Sequence, residues 1–163
     1  MTPVKQTVNP IYSTMNPGGE TMIVEPGNSM EGCLASILDA PMWKIPRIAP
    51  SSGVDFWRSL RLFLKSIGLY GIEFDGTDRS NLVDCPYYIA VGHPKGVDQA
   101  LSRMDHAVVM TRCDLAWDPL PREEEGLRSY SSFLALCVVD SRAFENWMFP
   151  KMEISPPTVT QMP

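Results

Sequence analysis

Apolar residues recur at helical spacing in two early stretches of the chain and gather into short β-rich runs later. Met30, Leu34, Ile37 and Leu38 share one side of a helix predicted over 29–39. Pro26-Gly27-Asn28 breaks the chain ahead of it, and Pro41 stops it. Three prolines between Pro41 and Ser52 mark an extended connector. A second helix is predicted over 54–67, with Phe56, Leu60, Phe63 and Leu64 as its apolar face. Ser51 or Ser52 would cap its start, and Gly68 would end it. Strands are expected at 21–25, 70–74, 87–91, 106–111, 115–117 and 133–139, several of them β-branched or aromatic runs bounded by Gly, Asp and Pro. That pattern reads as an antiparallel meander. Two helices ahead of such a sheet define an α+β fold.

Composition changes this picture only at its edges. A chain of 163 residues is long enough for one domain with a single core. That domain is expected over 1–149, with 150–163 as a tail rich in proline (Pro150, Pro156, Pro157, Pro163). No stretch has the length of a membrane span, and the start lacks a basic-then-apolar leader, so a cytoplasmic, non-membrane protein is expected. The net charge of −5 argues against nucleic acid as the main partner. Lys95, Arg103 and Arg112 are the one candidate basic patch, and they read as solvated surface. Cys33, Cys85, Cys113 and Cys137 form no Cys-x-x-Cys pair and have only His93 and His106 to join them, so neither a metal nor another cofactor is expected. Cys33 and Cys137 are expected in the core, and all four as unpaired thiols of a reducing compartment.

Candidate chemistry centres on Gly27-Asn28-Ser29-Met30-Glu31-Gly32-Cys33-Leu34-Ala35-Ser36-Ile37-Leu38, a turn feeding a helix with one hydroxyl in its first turn. The positive end of a helix dipole stabilises an anion there, which suits a thiolate nucleophile. Two histidines and one well-placed carboxylate follow. His106 opens the run His106-Ala107-Val108-Val109-Met110, and Asp118 lies one short hairpin on, in Trp117-Asp118-Pro119-Leu120-Pro121. Antiparallel pairing through 111–114 lets the two approach each other. Asp before Pro is also a common turn residue, and His106 alone would pass for a hydrogen-bonded strand-edge histidine. His93, in Val91-Gly92-His93-Pro94-Lys95-Gly96, is expected in a turn near the cleft.

These blocks together resemble a family of small papain-like, peptidase-like proteins frequent in bacteriophages and bacteria. The helix segment is similar to the family's Gly-Asn-Cys-x-x-Ala-Cys-Leu-Ala-Ser-Leu-Leu. Tyr87-Tyr88-Ile89-Ala90-Val91-Gly92-His93-Pro94-Lys95-Gly96 is similar to its Tyr-x-Ile-Ala-x-Gly-x-Ser-Pro-Arg-Gly. The His106 and Asp118 runs, with Gly126-Leu127 behind, resemble its His-Ala-Val-Val and His-Asp-Pro-His-Pro…Gly-Leu blocks. The likeness covers roughly 27–140 and keeps the order nucleophile, histidine, carboxylate. It implies a nucleophile helix packed on a sheet that carries the other two groups. Ser29 would stand at the nucleophile position, His106 as the proton carrier and Asp118 as its orienting partner. Gln6, in Val4-Lys5-Gln6-Thr7, resembles the family's early Gln-Thr and would supply an oxyanion donor.

The departures are as informative. Ser29 replaces the family's cysteine, Trp117 and Leu120 replace two histidines, and insertions at about 9–25 and 97–105 would rim the site. Ser29 has three readings: a helix cap, a natural loss of activity that leaves a binding protein, or a replacement of a native cysteine that disables the site. The third is favoured, because oxygen for sulfur keeps the shape while removing the acidic thiol. The resemblance therefore implies a cysteine peptidase or isopeptidase-type hydrolase, inactive with Ser29, acting on a protein or peptide that includes host proteins if the chain is phage-encoded. Its location would then be the host cytoplasm. The alternatives are a non-catalytic interaction protein that binds a host partner, and an acyltransferase or amidase using the same three groups.

Overall fold

The computed structural model describes residues 1–5, 11–14, 21–25, 27–48, 53–82, 84–96, 105–112, 114–120 and 125–150. Gln6, Cys113, Arg103, nearly all of the 97–105 loop and the tail beyond Pro150 lie outside the described residues. A two-stranded antiparallel hairpin comes first, β1 (Ile11–Thr14) with β2 (Thr21–Glu25). The 9–25 insertion thus contains a hairpin, of which only the second strand was expected. Helices α1 (Ser29–Ile37) and α2 (Gly53–Ser66) follow, joined by an extended connector with a short 3-10 turn at Met42–Lys44.

The main sheet consists of β3 (Leu69–Asp75), β4 (Tyr88–Pro94), β5 (His106–Thr111), β6 (Asp114–Trp117) and β7 (Leu127–Val138). Its spatial order is β3-β7-β4-β5-β6, and every described pairing in it is antiparallel. The structure is α+β, as the pattern of elements predicts. The simple meander is corrected, because β7 inserts between β3 and β4. It can do so because it is much longer than its apolar run: twelve residues reach across both neighbours. A further departure is α3 (Ser141–Met148), a third helix after the sheet. Asp140 caps it, accepting from the Ala143 N–H at 3.0 Å, and the Lys44 ammonium donates to the Trp147 and Met148 carbonyls at 3.0 and 2.9 Å.

Alternation along the strands divides the core in two. Ile89, Val91, Ala107, Val109 and Leu134 face one side, where Cys33, Leu34, Leu60 and Leu64 of α1 and α2 cover them. Tyr88, Ala90, Val108, Met110 and Phe133 face the other, under Leu82 and Cys85 of the 75–87 connection. Helix α1 is buried almost all round, which its small residues Gly32, Cys33, Ala35 and Ser36 permit. Ser36 shows how such a helix tolerates a hydroxyl. Its Oγ donates to the Gly32 carbonyl at 2.8 Å and accepts from the Val4 N–H at 2.9 Å. The Val4 carbonyl in turn accepts from the Trp117 indole at 3.2 Å, so the stretch leading to Gln6 is pinned between α1 and β6. Among the described residues Cys33 is buried and free, and Cys85 and Cys137 are free. Cys137 is only half-buried, because β7 leaves the core at its end, where Val138 and Val139 are exposed.

Candidate active site

Helix α1, strand β5 and the turn after β6 bring the three expected residues into one neighbourhood. The register of β5 with β6 explains part of it. Met110 pairs with Leu115 but Val109 pairs with Trp117, so Ala116 is an extra residue in the ladder. Continuing one step puts Asp118 opposite Val108, diagonal to His106 and on the same face. The His106 Nε2 and Asp118 Oδ1 lie 2.7 Å apart, with both side chains buried. This pairing is the one expected from the sequence.

Asp118 is held from several directions. Its Oδ1 also accepts from the Leu120 N–H, and its Oδ2 from the Gly126 N–H, each at 2.9 Å. The first of these closes the turn that an Asp before Pro119 suggests. The turn bond and the bond to His106 therefore coexist on one oxygen of Asp118. Gly126 sits at φ +89°, a left-handed conformation that strains any residue with a Cβ, and this turns its N–H onto the carboxylate. Burial pushes the Asp118 carboxyl up. The His106 hydrogen bond and charge, with the two amides, outweigh it and leave the group below its usual value.

Gly92 stands opposite His106 in the β4–β5 ladder. A Cβ there would lie 2.0 Å from the Ser129 carbonyl oxygen, so the close approach of β7 beside the histidine requires glycine. With Nε2 engaged by Asp118, Nδ1 is the ring nitrogen left for a reacting group. No described residue hydrogen-bonds to it.

Ser29 reaches the same strand by a different route. It is the first residue of α1, half-buried, and its Oγ accepts from the Ala107 backbone N–H at 3.1 Å. Strand β6 ends at Trp117, opposite Val109, so the Ala107 N–H has no strand partner on that side. The Ser29 oxygen takes the place such a partner would fill. The hydroxyl therefore meets the sheet at its edge, bonded to the residue after His106 and not to the imidazole. Ala107 and Val109 face α1, and the Asp118 carboxylate that holds His106 acts through its charge on buried Cys33 of that helix. Capping is also corrected: Asn28 holds the cap position, without a side-chain capping bond, and Ser29 lies inside the helix.

The remaining expected groups sort by burial. His93 is inside β4, which runs on to Pro94, and not in the turn after it. Its Nδ1 lies 3.6 Å from Asp105 Oδ1, with both side chains well exposed. Lys95 and Arg112 are exposed, as a solvated surface would be. Cys33 lies one turn along α1 from Ser29 with no exposed surface. Burial, helped by the charges of Asp118 and Glu31, pushes its thiol well above the usual range. Among the described residues no cluster of His, Cys, Asp and Glu could hold a metal ion, and no helix is long and apolar enough to cross a membrane.

One buried charge near Ser29 escaped sequence reasoning. Glu31, 4% exposed, accepts from the Ile48 N–H at 2.9 Å and from Arg47 at 3.3 Å, both through Oε1. Burial raises its pKa against those bonds. In the sequence it reads as an ordinary first-turn acid, and only the proline-rich connector folding back onto α1 buries it. No family model, curated protein or solved structure matches this chain.

Proposed function

We propose that the chain carries the site of a papain-like cysteine hydrolase with serine at the nucleophile position, and that Ser29 makes it inactive. The observation that supports this reading is the buried His106–Asp118 pair, 2.7 Å apart, on the strand whose amide meets the Ser29 side chain. In the cysteine form, the thiolate would attack a peptide or isopeptide carbonyl carbon, expelling the amine, which takes a proton from His106. Water would then hydrolyse the thioester with the imidazole as base and regenerate the thiol. Asp118 holds the ring in place through the 2.7 Å bond to Nε2. A serine hydroxyl, whose pKa is far higher than a thiol's, gains too little from a helix terminus to ionise.

A second reading has its own support. The Ser29 oxygen is satisfied by the Ala107 amide, a role that stabilises the fold without any chemistry. On that reading the scaffold binds a protein partner and does not cleave it.

Ser29→Cys separates the two. The new thiol is expected to alkylate with iodoacetamide at neutral pH about 100-fold faster than Cys33, because thiolate fraction and access set the rate. Adding His106→Ala should slow it about tenfold or more by removing the partner charge. Mass spectrometry of each cysteine across a pH series reads both rates. A slow introduced thiol, indifferent to His106, would leave the binding reading alone.

A further inference from the structure

Asn28, at the cap position, makes no side-chain capping bond to the helix. The connector adds bonds to the entry. The Arg47 Nη1 donates to the Gly27 carbonyl and to Glu31 Oε1, each at 3.3 Å. The next residue, Ile48, donates its N–H to the same Glu31 oxygen at 2.9 Å. Gly27 lies two residues before Ser29 and Glu31 two after, so one guanidinium brackets the hydroxyl-bearing turn on both sides. The connector is itself anchored, with Ile45 and Ile48 6% and 3% exposed in the α1 core.

We propose that Arg47 and Glu31 form a positioning clasp that fixes position 29 against the edge of β5. The inference rests on the hydrolase reading only for its consequence, since the clasp itself is a statement about the turn. Three features support it. The carboxylate is buried and its Oε1 accepts from two donors of adjacent connector residues, a geometry that tolerates little drift. It stands in the first helical turn, where an anion is favoured by the dipole and can answer amides that lack helical partners. And the bond it protects, from the Ala107 N–H to the position-29 side chain, is a single 3.1 Å contact that a small shift of the helix start would break. Among the described residues, the charged and titratable groups linked to this end of α1 include His106 and Asp118 from the sheet, Glu31 and Cys33 from α1, and Arg47 from the connector. Freeing the turn would move a thiol there relative to all of them.

The test uses two arms. In the chain as it stands, Arg47→Met removes both donated bonds while keeping the apolar stem, with the exposed Arg58→Met as control. Hydrogen exchange of the amides at 27–33 is expected to speed up about tenfold in Arg47→Met, with α3 unchanged, as for a local opening. In the Ser29→Cys chain, Arg47→Met should shift the pH–rate profile of iodoacetamide upward by about one unit, and lower its plateau several-fold, because thiolate stabilisation depends on placement. Arg47→Lys, reaching one acceptor at a time, should recover part of both effects. Exchange that rises equally in α3, or not at all, overturns the clasp. Looser exchange with an unchanged pH profile makes the pair structural only and overturns its positioning role. If the thiol of Ser29→Cys is no faster than Cys33 before Arg47 is touched, the hydrolase reading fails, and the exchange arm alone decides the clasp.

Discussion

Two buried carboxylates flank the start of helix α1, and they titrate in opposite directions. Asp118 is held below its usual value and Glu31 above it. Burial is the largest influence on both, so the difference lies in what answers it. Asp118 has both oxygens engaged, by two backbone amides at 2.9 Å and by a buried imidazole at 2.7 Å. Glu31 has one amide at 2.9 Å and a guanidinium at 3.3 Å whose side chain is 40% exposed and shared with water. A solvated partner screens weakly into a protein, whereas a buried one acts at low dielectric. The comparison teaches that a buried acid is made strong by donors buried with it. By that measure Asp118 is built to be charged beside His106, and Glu31 holds a turn at some cost in stability.

The largest expected effect follows from breaking the better pair. Asp118→Asn keeps the shape but turns one acceptor into a donor facing an amide, and should destabilise the fold by about 3 kcal/mol, as for a broken buried pair. Glu31→Gln keeps an acceptor for the Ile48 amide and should cost clearly less. Their pH dependences should have opposite signs. Asp118, lowered in the native state, adds stability that is complete above its unfolded pKa and is lost as pH falls through the native one. The advantage of the unmodified chain over Asp118→Asn should therefore shrink with acid. Glu31, raised in the native state, favours the folded protein most below its unfolded pKa, and that contribution fades as pH rises through the native one. The difference between the unmodified chain and Glu31→Gln should move in favour of the unmodified chain as pH falls. Urea midpoints at a series of pH values measure both. Parallel curves would abolish the distinction.

Much of this architecture is legible along the chain because local signals and tertiary packing agree there. The α1 and α2 spans and the β5 span follow from periodicity and from Gly and Pro punctuation. The His106–Asp118 pair follows from a hairpin of known length, although the extra Ala116 that sets its register does not show in the pattern. The illegible parts are those fixed by distant segments. Strand β7 begins at Leu127 because β4 and β3 offer it partners, not because 127–132 is apolar. Helix α3 is amphipathic but only eight residues long, too short to assert itself without the Asp140 cap and the Lys44 contact at its end. The attachment of Ser29 to the Ala107 amide depends on where β6 stops. No spacing rule predicts that.

A smaller effect sharpens the comparison at its centre. Ser29→Ala removes the oxygen that accepts the Ala107 N–H, leaving an amide at a 3% exposed residue without that partner. A buried donor left unmet costs about 1–3 kcal/mol, and the half-buried setting of Ser29 should place this case near the lower end. Ser29→Cys should cost less, because sulfur still accepts weakly from the same N–H. Chemical denaturation of the three chains in one buffer ranks them. An alanine variant as stable as the serine chain would mean that water replaces the hydroxyl at no cost, and that the edge of β5 is wetter than its burial implies.

The smallest effect belongs to the other histidine. His93 faces Asp105 across 3.6 Å, and the two side chains are 41% and 38% exposed, against 7% and 2% for His106 and Asp118. Exposed ion pairs are screened by water and contribute about 0–1 kcal/mol, where a desolvated pair is worth several times that. His93→Gln should therefore change stability by no more than about 0.5 kcal/mol, the range of an ordinary surface substitution. In the Ser29→Cys chain it should leave the alkylation rate and its pH profile in place, whereas His106→Ala shifts both. The two substitutions remove the same ring from neighbouring strands, so the contrast isolates burial and the Asp118 partner from the mere presence of an imidazole. A His93→Gln rate that falls as far as that of His106→Ala would assign the proton carrier to the wrong histidine.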